Sequence, residues 1–247
     1  MDPLIQNLLV LFLDTIILLG YLLIINFLKT KEIISQLISR KLVHMGVGPV
    51  FLFSWPFYAD IWFSPYVAAI EPLIFALLFL ILGTGLFYNE MFVKSMSRSG
   101  EASELLRGTF QYAVVMTFSA LLFWNSPIGV IIILTLAFGD GTADLFGRKI
   151  NKLKYKVFAE KSIPGSVSMF IISYLASIIG LFIFSFEIET LLLITFVAIV
   201  FATLAEGCSP KETDNITIPI TIVIIFLLLT PILAPDATWE VFNIFLP

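Results

Sequence analysis

Long apolar segments dominate the chain, and short polar connections separate them. A helix that spans a bilayer needs about 20 predominantly apolar residues, and segments of roughly this length recur from one end of the sequence to the other. We identify eight of them. They cover residues 3–28, 42–59, 66–88, 108–124, 127–146, 165–185, 191–208 and 217–234. The pattern therefore predicts an all-α, polytopic integral membrane protein with about eight transmembrane helices.

The composition supports this interpretation. Of the 247 residues, 59% are hydrophobic and 13% are charged, and the mean hydropathy is +1.03, which is far from the balance of a water-soluble domain. The first segment is longer than the apolar core of a secretory signal and opens with Asp2, so we interpret it as a retained helix. A single cysteine, Cys208, excludes an internal disulfide. We expect one transmembrane catalytic domain over residues 1–247.

Basic residues are confined to alternate connections between the segments. If the eight segments cross the membrane in turn, four connections lie on one side, and they hold all 14 lysines and arginines. These connections are residues 29–41, 89–107, 147–164 and 209–216. The positive-inside rule places this side in the cytosol and both termini outside. No basic surface interleaved with aromatic residues is present, so we expect no nucleic-acid partner.

The most informative polar motif closes the fifth segment, at Gly139-Asp-Gly-Thr-Ala-Asp-Leu-Phe-Gly-Arg-Lys149. Asp140 and Asp144 are four residues apart and would share one face of a helix. Carboxylates are costly in a membrane segment and are usually retained there for function. Their hard oxygens suit Mg²⁺, which binds substrate phosphates through one or two such ligands. The alternative to a metal site is the end of a helix, capped by glycine, at which both acids are solvated.

The connection that follows is strongly basic, with six lysines and arginines between positions 148 and 161. A lysine-rich connection is typical of a topology signal or a contact with anionic lipids. Lys161 differs because Ser162, Gly165 and Ser166 follow it where the sixth segment begins. A lysine and small residues at a helix N-terminus can bind an anion through free backbone N–H groups.

Three further polar clusters lie at the same predicted membrane level, and two acids do not. Two of the clusters also have a purely structural interpretation: His44 fits a polar histidine at the membrane interface, and the stretch with Glu101, Glu104 and Arg107 fits an amphipathic turn. Asp14 and Glu71 lie inside segments that offer no basic partner, which leaves protonation or a hydrogen bond to a neighbouring helix. The clusters are Arg40, Lys41 and His44; Glu101, Glu104 and Arg107; and Glu206, Asp214 and Asn215.

Taken in order, these motifs resemble the phytol kinase family, within a wider group of CTP-using membrane enzymes that includes dolichol kinase and phosphatidate cytidylyltransferase. One departure is Asn151, where relatives usually have glycine. The resemblance covers most of the chain from residue 40 to about residue 220. Its motifs are Arg40-Lys-Leu-Val-His44 with Ser54-Trp-Pro56; Lys94-Ser-Met-Ser-Arg98 with Gly100–Gly108; Phe123-Trp124 with Ser126-Pro-Ile-Gly129; Gly139–Asp144 with Gly147-Arg-Lys149; Lys161-Ser162 with Gly165-Ser166; and Glu206 with Asp214-Asn215 and Pro219.

The resemblance implies transfer of the terminal phosphate of CTP, or of UTP, to a long isoprenoid alcohol, with phytol as the expected acceptor. The active site would lie at the cytosolic membrane boundary, among membrane lipids. We expect Asp140, Asp144, Lys161 and Asp214 to be catalytic, with Asp214 as a further metal ligand or as the base. The other expected roles are Mg²⁺ on Asp140, Asp144 and Asp214; nucleotide binding by Lys41, Arg148, Lys161, Ser162, Gly165 and Ser166; and secondary polar roles for Arg40, His44, Glu101, Glu104, Arg107, Glu206 and Asn215.

Two other functions fit parts of the pattern. A cytidylyltransferase would use the same residues to direct a lipid phosphate at the α-phosphate of CTP, which would release pyrophosphate. A transporter would use an acidic pair to bind its substrate, but transporter sites lie near the midplane between repeats. Here the polar residues gather on one face and no repeat is visible.

Overall fold

The computed structural model describes residues 1–87, 93, 97, 101–150, 153–210 and 213–237. In this part of the chain, seven helices are long and apolar enough to cross a membrane. The only sheet among these residues is a two-stranded hairpin. The predicted all-α, multi-pass membrane fold is therefore confirmed. Lys94, Arg98, Gly100, Asn151, Lys152 and Lys211, to which the sequence interpretation referred, lie outside the described residues.

The helices follow the apolar segments closely. A short 3₁₀ turn, Trp55–Phe57, follows α2, and a π-helical segment, Thr135–Asp140, joins α6 to α7. The helices are α1 Pro3–Thr30, α2 Gln36–Ser54, α3 Ser64–Gly83, α4 Glu104–Arg107, α5 Thr109–Leu122, α6 Pro127–Leu134, α7 Gly141–Ile150, α8 Ile163–Ile183, α9 Ile188–Cys208 and α10 Asp214–Leu233. The strands are β1 Lys154–Lys156 and β2 Glu160–Ser162.

The predicted count of about eight spans is close to the seven found among the described residues. The remaining predicted segment forms α2, a helix of 19 residues that is not among the seven. Its first turns carry Arg40, Lys41 and His44, which lower its average hydropathy. The side of the membrane on which each terminus lies depends on whether α2 crosses, so the predicted topology stays a prediction.

The chain forms two compact units, one that includes Met1–Leu121 and one that begins at Leu122. In the first unit α1 packs against α2 and α3. Asp2 caps α1 by accepting a hydrogen bond from the backbone N–H of Leu4 at 2.8 Å. The prediction of a single catalytic domain stays a prediction.

The second unit is built around α6. Its residues Pro127–Leu134 are all buried, and α8 and α10 pack against this helix. A helix that is apolar on every side is expected to lie inside a bundle. The π-helical segment follows this buried helix directly, and Asp140 is its last residue.

The basic connection contains a hairpin that the sequence interpretation did not predict. Strands β1 and β2 are antiparallel, with Tyr155 opposite Lys161. Directly opposed residues in such a pair project to the same face. The basic connection begins inside α7. This helix continues to Ile150, four residues beyond the end of the predicted fifth apolar segment.

Candidate active site

Four side chains from separate elements of the second unit meet in one cluster. Carboxylate oxygens of Asp140, Glu206 and Asp214 lie within 4.8 Å of one another. The ammonium Nζ of Lys161 forms a short ion pair with Glu206 Oε1 and lies 3.1 Å from Asp214 Oδ2. We call these four residues the carboxylate–lysine cluster.

Helix ends place these side chains together. Asp140 closes the π-helical segment, Glu206 lies in the last turn of α9, and Asp214 is the first residue of α10. Because α9 and α10 pack together, their adjoining ends bring Glu206 and Asp214 close in space. A carboxylate in the first turn of α10 is also stabilised by the positive end of the helix dipole.

The backbone at Asp140 is unusual. A π-helical turn inside a helix is rare and frequently marks a functional site. Here the Thr142 hydroxyl donates to the carbonyl of Phe138 at 2.7 Å. A Cβ at Gly139 would come within 1.9 Å of Ser173 Oγ, so glycine lets α8 approach this turn closely.

Lys161 is held in place by the hairpin and by Tyr155, a residue that the sequence interpretation missed. The Tyr155 hydroxyl lies 2.6 Å from Ser166 Oγ on α8. A Cβ at Gly207 would lie 2.5 Å from the same hydroxyl, and Gly207 adjoins Glu206. Tyr155 therefore contacts both α8 and α9. The signal for it in the sequence was an aromatic residue directly between two lysines, Lys154 and Lys156.

We expect Tyr155→Phe to lower stability by about 1 kcal/mol, because it removes one partly buried hydrogen bond. Ser166→Ala should have an effect of similar size, and the double variant should cost little more than either single change. Chemical or thermal unfolding of the four proteins in detergent gives these values. Fully additive effects would contradict a direct Tyr155–Ser166 contact.

Electrostatics favour a cation in the cluster. Burial alone lowers the pKa of Lys161, but the nearby Glu206 and Asp214 carboxylates raise it above its ordinary value, so Lys161 stays charged at neutral pH. With all three acids ionised, the cluster carries −3 from the carboxylates and +1 from Lys161, a net charge of −2. A divalent cation would balance this charge.

The cluster differs from the predicted set of metal ligands in one respect. It contains Asp140 and Asp214, as predicted, but its third carboxylate is Glu206, to which the sequence interpretation gave a secondary role. Asp144 is not a member of this carboxylate group; it accepts a hydrogen bond from Arg148 Nε at 2.7 Å. The assignments of Asp144 to a metal and of Arg148 to the triphosphate stay predictions.

Ser162, Gly165 and Ser166 lie at the start of α8, as predicted. The Ser162 hydroxyl accepts a hydrogen bond from the backbone N–H of Gly165 at 3.2 Å and caps the helix. A Cβ at Gly165 would lie 2.8 Å from the Ala143 carbonyl oxygen and 3.1 Å from Ser162 Oγ. These residues thus determine how closely α7 and α8 pack, and their predicted contact with phosphate is untested.

We expect Gly165→Ala to destabilise the protein by about 1–3 kcal/mol, since the added methyl would push against backbone rather than a flexible side chain. Gly20→Ala is the matched control, because a Cβ there meets no atom within 4 Å. Thermal unfolding of both variants in the same detergent measures the difference. Equal midpoints would contradict the tight α7–α8 contact.

The other predicted site residues belong to different parts of the chain. Asn215 is buried beside the cluster and donates its backbone N–H to Asp214 Oδ1 at 3.2 Å. Tyr112 donates a hydrogen bond to the His44 carbonyl at 3.0 Å in the first unit. The roles predicted for the residues of that unit stay predictions. These residues are Arg40, Lys41, His44, Glu101, Glu104 and Arg107.

The fold and the cluster define a class: a multi-pass membrane protein with a carboxylate–lysine site at the ends of its helices. No family model matches the chain, and no solved structure matches it. Curated relatives do match. The chain is 39% identical to "Probable phytol kinase 2, chloroplastic" of Oryza sativa subsp. japonica over 202 residues, which are 78% of this chain and 66% of the relative.

Two relatives from Arabidopsis thaliana extend the comparison. "Phytol kinase 1, chloroplastic" is 36% identical over 223 residues, or 85% of this chain and 73% of the relative. "Farnesol kinase, chloroplastic" is 33% identical over 199 residues, or 77% of this chain and 65% of the relative. The chain thus spans about two thirds to three quarters of the length of these relatives, and it belongs to the phytol kinase family.

Proposed function

We propose that this protein transfers the γ-phosphate of CTP to the hydroxyl of an isoprenoid alcohol, with phytol as the acceptor and UTP as an alternative donor. The observation that carries the proposal is the carboxylate–lysine cluster in a chain of the phytol kinase family. The names of the relatives, phytol kinase and farnesol kinase, support an isoprenoid alcohol as the acceptor.

The cluster has the chemistry of a magnesium site. Its three carboxylates supply hard oxygen ligands within 4.8 Å of one another, and its net negative charge matches a divalent cation. We propose that Asp140, Glu206 and Asp214 hold Mg²⁺. When bound, Mg²⁺ neutralises phosphate oxygens and the charge that develops on them during phosphoryl transfer.

The protein residues have separate tasks in this proposal. Lys161 neutralises Glu206 and Asp214 and provides a cation for the triphosphate oxygens. As the bond between the alcohol oxygen and the γ-phosphorus forms and the bond to the β-phosphate oxygen breaks, the alcohol proton passes to Asp214 in the alternative in which Asp214 is the base and Asp140 and Glu206 alone hold Mg²⁺. The products are a lipid monophosphate and CDP. Because phosphoryl transfer depends mainly on position and charge, the protein needs no covalent intermediate.

The position of the cluster suits two substrates of opposite polarity. Its acids lie at the ends of apolar helices, where water-soluble nucleotide and membrane-dissolved alcohol could meet. Four basic residues of the same connection, Arg148, Lys149, Lys154 and Lys156, are exposed and would attract an anionic nucleotide. We propose that this face of the membrane is the cytosolic one.

The test is an assay of the purified full chain with γ-labelled CTP, Mg²⁺ and a panel of acceptors. The panel comprises phytol, geranylgeraniol, farnesol, a dolichol and phosphatidic acid. We expect label in phytyl monophosphate and release of unlabelled CDP. Labelled pyrophosphate with phosphatidic acid as the required acceptor would instead identify a cytidylyltransferase and overturn the kinase proposal.

A further inference from the structure

A pair of acidic side chains lies inside the first unit, away from the ends of its helices. Asp14 is on α1 and Glu71 is on α3, and these helices pack against each other. Asp14 is 3% exposed and Glu71 is 5% exposed. The two carboxyl groups lie within hydrogen-bonding reach of each other. We call Asp14 and Glu71 the acid pair.

No lysine or arginine of α1, α2 or α3, the helices that carry the pair or face it, can neutralise it. On α1 the nearest is Lys29, fifteen residues from Asp14 and so about 22 Å along the helix. On α2, Ser54 faces Asp14, and Lys41 precedes Ser54 by thirteen residues, or about 20 Å. Helix α3 contains no basic residue.

The nearby hydroxyl groups are also engaged elsewhere. The Thr15 hydroxyl donates to the Leu11 carbonyl at 2.8 Å, and the Ser54 hydroxyl donates to the Phe51 carbonyl at 2.7 Å. A hydroxyl has one proton to donate, and an ionised carboxylate can only accept. Both oxygens of Glu71 and Oδ2 of Asp14 are buried and accept no hydrogen bond from a donor among the described residues.

This arrangement cannot be satisfied with both acids ionised. Two carboxylates in contact repel each other and have no proton to share, whereas one protonated carboxyl can donate a hydrogen bond to the other. A single proton would therefore remove one charge from the bilayer interior and supply the missing donor. Both effects favour the protonated pair in an apolar setting.

We propose that Asp14 and Glu71 form a proton-binding site in the first unit, in which the two carboxyl groups share one proton at neutral pH and link α1 to α3. Among the described residues, Tyr58 is a further titratable group that faces the pair. A phenol is neutral at neutral pH, so Tyr58 does not supply a charge.

Infrared spectroscopy of the purified protein at pH 8 tests this proposal. A protonated carboxyl group has a carbonyl stretch separate from that of carboxylates, and carboxyl groups in water are ionised at this pH. We expect a protonated carboxyl band in wild-type protein. Incorporation of ¹³C-glutamate or ¹³C-aspartate should shift it, which assigns the band without any substitution. Absence of the band would overturn the proposal.

Variants locate the proton. Asp14→Asn and Glu71→Gln should each lose the band and stay folded, because the amide N–H replaces the shared proton as donor to the remaining carboxylate. Asp2→Asn is the matched control on α1 and should leave the band unchanged. A band that persists in Asp14→Asn/Glu71→Gln would belong to another acid. A band that appears only after removal of Na⁺ or Mg²⁺ would identify a metal site; either result would overturn the proposal.

Discussion

Asp140→Asn is expected to lower the turnover of γ-labelled CTP with phytol by about two to three orders of magnitude. The amide keeps the size of the side chain but removes one of three carboxylates that converge within 4.8 Å, and electrostatic groups aimed at the reacting phosphate typically contribute this much. The protein should remain folded, because Lys161 keeps its ion pairs with Glu206 and Asp214. Turnover is measured at several Mg²⁺ concentrations.

The same assay separates the cluster from neighbouring acids. Glu206→Gln should lose activity to a similar degree, whereas Glu160→Gln is the matched control, since Glu160 is an exposed acid of the hairpin that pairs with Lys154 at 2.6 Å. Asp144→Asn tests whether an acid outside the cluster also contributes to turnover, because Asp144 pairs with Arg148 instead. Near wild-type turnover in Asp140→Asn at ordinary Mg²⁺ would show that this carboxylate is a solvated helix-end acid.

The fold could be predicted almost completely from the hydrophobic pattern. Transmembrane helices satisfy their own backbone hydrogen bonds, so length and apolarity suffice to place them. The fifth apolar segment, predicted at 127–146, contains α6 and most of α7. The hairpin was missed because its strands are three residues long and rich in lysine, which disfavours strands.

The site was predicted in part. Asp140, Lys161 and Asp214 were identified as site residues and lie together, whereas Glu206 received only a secondary role because a single acid at a helix end carries no pattern of its own. The pairing of Asp140 with Asp144 assumed a regular α-helix. Residues Gly141–Ile150 do form a regular α-helix, and within it Asp144 pairs with Arg148, its own i, i+4 neighbour, so its predicted metal role stays a prediction. The contacts that bring Glu206 and Asp214 to Asp140 join separate helices, and tertiary contacts of that kind cannot be read from spacing alone.

Lys161→Met is expected to destabilise the protein by about 3–5 kcal/mol in the absence of divalent cations. The change leaves Glu206 and Asp214, whose side chains are 4% and 15% exposed, without their cation, and removal of one partner from a buried ion pair typically has this cost. Thermal unfolding in detergent measures the loss. Lys154→Met is the matched control, because that lysine belongs to the same hairpin and its side chain is 49% exposed, so its ion pair contributes little.

Mg²⁺ should restore much of the lost stability. A ligand that binds only the folded protein stabilises it in proportion to the logarithm of its concentration over Kd, and removal of Lys161 changes the net charge of the cluster from −2 to −3. We therefore expect Mg²⁺ to raise the unfolding midpoint more in Lys161→Met than in wild-type protein. Glu206→Gln in the Lys161→Met background should also recover stability, since it removes the buried charge left unpaired. If Mg²⁺ raised the midpoint of neither Lys161→Met nor Lys154→Met, the cluster would not be a cation site, and the catalytic proposal would lose its metal.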